Sequence, residues 1–301
     1  MNAVSPGTDP AKPRVTVAEY DKFGNVKRSM TPANRAAALA SGLTGAALVT
    51  KARALSTERE FTSTDAGSRL AWELGPERAV RIGTSTSAAR PHTVVHYDEG
   101  RSATDSTTYN LPTTTTVAAL TGTVSYGSLG TLGANDVDRR VTKTVYNFAE
   151  RLPLETSVDP GGLNLRTTTQ YNAQGLVTEE RTPRSPSGGD ASARRTVYYT
   201  ADGSSGHETC NNKPHWAGFV CQHRPAAQPA TAGLPDLPVT TYEYNPLGLV
   251  TKETDSVGGA APATRTTETT YDGFGRVSKV ATLATGTGAG TPMDAVETTY
   301  D

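Results

Sequence analysis

The chain has 301 residues, with 29 Lys+Arg against 30 Asp+Glu and a formal net charge of −1, so no basic field argues for nucleic acid or an anionic membrane surface. Hydrophobic residues make up 35%, and the 12 Tyr outnumber the 5 Phe; with Thr abundant as well, the composition leans towards strands and excludes coiled coil and collagen. No apolar run approaches the roughly 18 residues of a membrane helix, residues 1–7 lack the basic and apolar regions of a signal peptide, and 2 Cys make no disulfide framework.

Residues 1–16 read as a tail. Residues 17–30 hold the first copy of a repeat, Tyr20-Asp21-Lys22-Phe23-Gly24-Asn25-Val26. An Asp or Asn, two ordinary residues and a Gly predict a type I turn followed by a left-handed residue, which is the hairpin loop with a G1 bulge. Asp or Asn caps the turn with its side chain, and Gly takes positive φ without steric cost. In that register Tyr20 faces Val26, a favourable cross-strand pair. Residues 31–60 break the pattern. Thr31 is a candidate N-cap, Pro32 to Ala40 has helix composition, Gly42 stops it, and Ala46 to Leu55 could add a second short helix.

Strand signals resume at Phe61, and residues 31–140 form a divergent stretch. It carries two weaker copies, Tyr97-Asp98-Glu99-Gly100 and Tyr126 to Leu132. Residues 141–182 hold two repeats, Tyr146 to Leu152 and Tyr171-Asn172-Ala173-Gln174-Gly175-Leu176-Val177. Residues 183–238 read as a looped-out insertion rich in Pro, Gly and Ala, with a weak copy at Tyr199 and Gly203. Residues 239–301 return to clean repeats: Tyr244-Asn245-Pro246-Leu247-Gly248-Leu249-Val250, then Tyr271-Asp272-Gly273-Phe274-Gly275-Arg276-Val277, then Tyr300-Asp301 at the start of a further turn. Good neighbours recur about every 25 to 29 residues. The expected fold is all-β: stacked antiparallel hairpins, each marginal alone and stabilised by its neighbours, with a short helical excursion near 31–55.

Few residues suggest chemistry. His207, Cys210, Cys221 and His223 are zinc-ligand types, but their spacing fits no zinc signature. A Cys210–Cys221 disulfide closing the loop is the leading expectation, with free thiols and zinc as alternatives. Asp136 and Asp138 could ligate calcium but lack the Gly and distal Glu of an EF-hand. His92 and His96 read as solvated or packed side chains rather than bases. The stretch from Gly286 to Gly290 has no Lys-Ser/Thr behind it and reads as a flexible loop, not a phosphate cradle. No nucleophile–base motif or metal signature appears, so neither catalysis nor a cofactor is expected.

The series of Tyr-Asp/Asn-x-x-Gly-x-Val units resembles the YD-repeat of the RHS family, which includes bacterial polymorphic-toxin shells and the related teneurin shell. Trp72-Glu73-Leu74-Gly75-Pro76-Glu77, the segment from Pro91 to Gly100, Asp159-Pro160-Gly161-Gly162-Leu163, and Cys210 to Gly218 resemble large actinobacterial members. The resemblance implies a β-ribbon spiralling into a hollow shell around a C-terminal effector. It implies further shell repeats and a toxin or effector domain as partners, and a secreted or cell-surface location. On this reading the chain is a fragment of shell wall, since about 12 two-stranded units make a ribbon that circles a cargo only about once. RHS shells end in a DPxGL-like junction with aspartyl protease activity; here Asp159-Pro160-Gly161-Gly162-Leu163 lies mid-chain, before clean repeats, and reads as an ordinary turn. The alternative function is a carbohydrate-binding or adhesion module that stacks exposed Tyr and Trp rings on cell-surface glycans.

Overall fold

The computed structural model describes residues 2–5, 14–65, 67–185, 192–231, 233–259, 262–286 and 295–300. It divides into two compact units, 1–165 and 166–301. Both are built from antiparallel strands, as the Thr- and Tyr-rich composition demands. Residues 287–290 of the glycine-rich stretch after Gly286 lie outside the described residues.

In the first unit β1 (Asn2–Ser5) pairs with β2 (Arg14–Tyr20), so part of the expected tail is a strand. β2 turns into β3 (Val26–Met30), and β3 pairs with β4 (Thr57–Thr64). Between β3 and β4 lie α1 (Pro32–Leu39) and α2 (Gly45–Ala54). The Thr31 hydroxyl accepts the Asn34 N–H at 3.2 Å and caps α1, while Pro32 needs no amide partner there. β4 pairs with β5 (Gly67–Leu74), and β5 with the long β7 (Ser85–Tyr97). β6 (Arg78–Ile82) pairs with the first residues of β7. The other edge of β7 carries β8 (Pro112–Thr121), followed by β9 (Asp136–Asn147) and β10 (Leu152–Val158).

The second unit is a meander. β11 (Leu165–Tyr171), β12 (Val177–Arg181), β13 (Arg194–Tyr198), β14 (Val220–Pro225), β15 (Val239–Tyr244), β16 (Val250–Val257), β17 (Ala263–Tyr271), β18 (Val277–Gly286) and β19 (Val296–Glu297) each pair with the next. The span 183–238 is therefore not wholly looped out. β13 and β14 lie inside it and carry the ladder from β12 to β15, with long connections before β13 and on either side of β14.

Most strand residues are half-buried, because a single sheet cannot close a core by itself. Among the described residues, two apolar clusters form where irregular segments fold back on the strands. Leu129 packs on Leu74 and Leu120, with Trp72 and Val124 alongside. Cys210, Cys221, Val197 and Tyr199 pack together, with Trp216 and Tyr244 against them.

Candidate functional site

The repeat turns share one geometry. The Asp21 N–H donates to Asn25 O at 2.9 Å, and Gly24 N–H to Asp21 O at 3.2 Å. Asp21 Oδ1 accepts from the N–H groups of Phe23 and Asn25 at 2.8 and 2.9 Å. Asn172 and Asn245 cap their turns in the same way, as does Asp272 with Phe274 and Arg276. These donors favour the ionised carboxylate: the Asn25 side chain leads in lowering the Asp21 pKa, and the Arg276 N–H leads at Asp272. Gly24, Gly175, Gly248 and Gly275 have φ of +87°, +76°, +78° and +78°. Tyr20 faces Val26, Tyr171 faces Val177, Tyr244 faces Val250 and Tyr271 faces Val277, each with a bulge just before the tyrosine.

Four weaker copies sit differently. Tyr146 faces Pro153 rather than Leu152, which pairs with Asn147, and the left-handed residue of that turn is Arg151 at φ +59°. Tyr126 to Ser128 forms a 3-10 turn, not a hairpin. It lacks the Asp or Asn cap, and Leu129 is drawn into the apolar cluster instead. The hairpin after Tyr97 closes on Asn110 rather than Gly100: Asp98 N–H meets Leu111 O at 3.0 Å, Asn110 has φ +56°, and Tyr97 faces Pro112. The copy assigned to Tyr199 and Gly203 begins at Tyr198, which faces Val220. Tyr199 N–H donates to Phe219 O and Gly218 N–H to Tyr199 O, both at 2.9 Å, with Gly218 at φ +88°. Those two bonds and that glycine repeat the Asp21–Gly24–Asn25 closure across a far longer loop.

The tyrosine hydroxyls form a tie that the sequence reasoning missed. Tyr271 OH donates to Val250 O at 2.7 Å, Tyr244 OH to Val220 O at 2.8 Å, and Tyr198 OH to Val177 O at 2.8 Å. In the first unit Tyr146 OH donates to Pro112 O at 3.3 Å. Each acceptor is the residue that faces the tyrosine of the preceding hairpin. The register is the same in all four: the residue two past the acceptor faces the residue three before the tyrosine, as in Lys252–Glu268, Gln222–Thr241, Glu179–Arg195 and Thr114–Lys143. The ring thus lies across the adjacent strand and locks one hairpin to the next. The excess of Tyr over Phe was the available signal, because a purely apolar cross-strand pair does not need the hydroxyl.

Cys210 and Cys221 are disulfide-bonded with Cα atoms 5.7 Å apart, and both are fully buried. Their sulfurs are therefore not available to zinc together with His207 and His223. The His207 ring nitrogen lies 3.2 Å from an Arg224 guanidinium nitrogen, and that of His223 lies 3.2 Å from the Thr196 hydroxyl. Burial, then neighbouring arginines, lowers the pKa of both histidines. Tyr199 packs on Trp216 with ring centroids 4.9 Å apart and donates its hydroxyl to Tyr242 O at 2.6 Å. Burial, then Glu243 and Tyr244, pushes its pKa up to about 12.

Of the remaining candidates His92, Asp136 and Asp159 are engaged in structure, whereas His96 is exposed. His92 is buried, with its ring nitrogens 2.6 Å from Asp136 Oδ1 and 2.9 Å from Leu129 O. Both nitrogens are thus committed to pinning the loop that brings Leu129 into the core. Asp136 also accepts the Gly133 N–H, whereas Asp138 is exposed. Asp159 has φ +53°; its carboxylate accepts the Leu163 N–H at 2.8 Å and its carbonyl the Asn164 N–H at 2.8 Å. A Cβ at Gly162 would collide with that carboxylate, so a larger residue there would displace the Asp159 side chain from the Leu163 N–H. Among the described residues no group of three or more His, Cys, Asp or Glu could hold a metal ion, and no helix is long and apolar enough to cross a membrane.

No protein-family model matches the chain, and no curated protein matches it. Among the solved structures similar to it are the Tc holotoxin pore of Photorhabdus luminescens and a crystal structure of TcdB2-TccC3-TEV, each at 12% identity, covering 90% of this chain, with a TM-score of 0.28. The chain spans only 17% and 18% of the chains it matches.

Proposed function

We propose that the chain is a non-catalytic stretch of shell wall from an RHS-type protein, whose partners are further repeats of the same kind and a C-terminal effector enclosed or presented by them. The observation that carries the reading is the recurring tyrosine tie. The same hydroxyl reaches the same carbonyl of the preceding hairpin, so chemistry-bearing side chains are spent on joining one repeat to the next. Such an array grows by adding units, because each new hairpin supplies the tyrosine for the acceptor already in place. A secreted or cell-surface location belongs to this reading, and the buried disulfide supports it, since such bonds persist in oxidising compartments.

The test is protease protection in the full-length gene product. Limited digestion should spare the C-terminal domain until the repeat region is denatured. Digestion of that domain at the same rate as a free control would sink the wall reading. Saturable binding of the isolated chain to cell-wall or capsular glycans, lost on Tyr20→Ala or Tyr271→Ala, would transfer the case to a carbohydrate-binding module.

A further inference from the structure

The hairpin of β13 and β14 is a repeat whose turn has been split. Eighteen residues, 200–217, stand where Lys22 and Phe23 stand in the first copy, yet the ladder closes with the same two backbone bonds and a glycine at φ +88°. In the ordinary repeats the closure is enforced locally by the Asp or Asn side chain. Here that position is Tyr199, whose hydroxyl is committed to Tyr242 O. The local cap is gone, and something else must hold Gly218 and Val220 against Tyr198 and Tyr199.

The disulfide occupies that role by position. Cys221 immediately follows Val220, the residue facing Tyr198. Its partner Cys210 accepts the Thr200 N–H on its carbonyl at 3.0 Å, and Lys213 N–H bonds to Thr200 O at 2.8 Å. The S–S bond therefore joins the first residue beyond the returning strand's start to the segment anchored at the outgoing strand's end. Trp216 and Tyr244 pack over it, and Tyr244 is also the residue whose hydroxyl reads Val220 O.

We propose that Cys210–Cys221 is a redox-dependent register lock: oxidised, it replaces the missing turn cap; reduced, it lets the split hairpin open from Val220 and releases the Tyr244 tie, while the glycine-turned hairpins stay closed. Reduction needs two electrons from a thiol reductant. For a dithiol, one thiolate displaces a cysteine sulfur, the second closes the reductant's own ring disulfide, and Cys210 and Cys221 leave as thiols. The lock concerns this hairpin whatever the chain as a whole does, so it stands or falls apart from the wall reading. Its consequence is that the repeats on either side of β13–β14 join in register only under oxidising conditions.

The experiment is amide hydrogen exchange on the whole 301-residue chain in three forms: oxidised, reduced with dithiothreitol, and Cys210→Ala/Cys221→Ala. Thiol titration in denaturant after the exchange confirms that the reduced sample carries two thiols, and the double variant removes the question of reductant access to buried sulfurs. The Tyr199 and Gly218 amides should exchange at least about tenfold faster in the reduced and variant forms, with the Asp272 and Gly275 amides unchanged. Retained protection at Tyr199 and Gly218 overturns the proposal. Equal loss at all four sites also overturns it, because the bond would then be a staple for the entire unit rather than a lock on one hairpin. If the alanine pair does not fold, Cys210→Ala/Cys221→Val keeps more of the buried volume and is read in the same way.

Discussion

At the residue scale the glycines and tyrosines of the repeat do separable jobs. Gly275 has φ +78°, and a Cβ there would meet only Leu249 Cδ1 at 3.6 Å. Gly275→Ala therefore pays for the left-handed backbone alone and should cost about 1 kcal/mol in urea denaturation. At Gly248 the φ is the same, but a Cβ would lie 3.1 Å from Phe219 Cζ, with the Phe219 ring packed on Tyr244. Gly248→Ala should cost more than Gly275→Ala, and equal losses would deny the close approach a role. For the ties, Tyr271→Phe keeps the ring and removes one hydroxyl bond, an expected loss of about 1 kcal/mol. Tyr20 is the control. It is 50% exposed, and among the described residues its hydroxyl has no hydrogen-bond partner, so Tyr20→Phe should leave the urea midpoint unchanged.

At the element scale, β13 and β14 bring His207 and His223 into a field of arginines. Both folded-state pKa values are lowered, by burial first and then by Arg224 at His207 and Arg194 at His223. A lowered histidine pKa means that the folded state prefers the neutral ring. The contribution is then present above the unfolded value near 6.5 and is lost as pH falls through the folded values. The second unit should accordingly lose urea resistance as pH falls below about 6.5, and His207→Gln/His223→Gln should flatten that slope. The turn carboxylates do not contribute in this window: Asp21 and Asp272 are lowered from an already acidic value and protonate only at still lower pH. A pH profile unchanged in the double variant would show that neither burial nor the neighbouring arginines shift these two rings enough to affect stability.

At the scale of the whole chain, strands that contact mainly their sequence neighbours make stability a sum of local terms. Unfolding should depart from two-state behaviour. Tyr271→Phe should loosen β16 to β18 in hydrogen exchange while leaving β12 and β13 protected; uniform loosening would show that the second unit unfolds as one cooperative block. The chain should also be chemically inert. Asp159 spends its carboxylate on the Leu163 N–H within a turn, so incubated protein should run as one intact band, with or without Asp159→Asn. Two bands that vanish in the variant would show that Asp159 acts in cleavage.

The sequence by itself determined the all-β hairpin stack, because a turn made from Asp or Asn, two residues and Gly is enforced within five residues and needs no distant partner. It determined the two helices between β3 and β4 as well, since Thr31, Pro32 and the alanines act locally. What only the tertiary structure decided lies where closure is non-local. The hairpin from Tyr198 to Val220 closes over 200–217 because a disulfide and buried aromatic rings hold its two ends, and no spacing rule in the sequence marks Tyr198, rather than Tyr199, as the repeat tyrosine. The hydroxyl ties were hidden for the same reason. They depend on the register between one hairpin and the next, and that register is set by packing across strands rather than by any local run of residues.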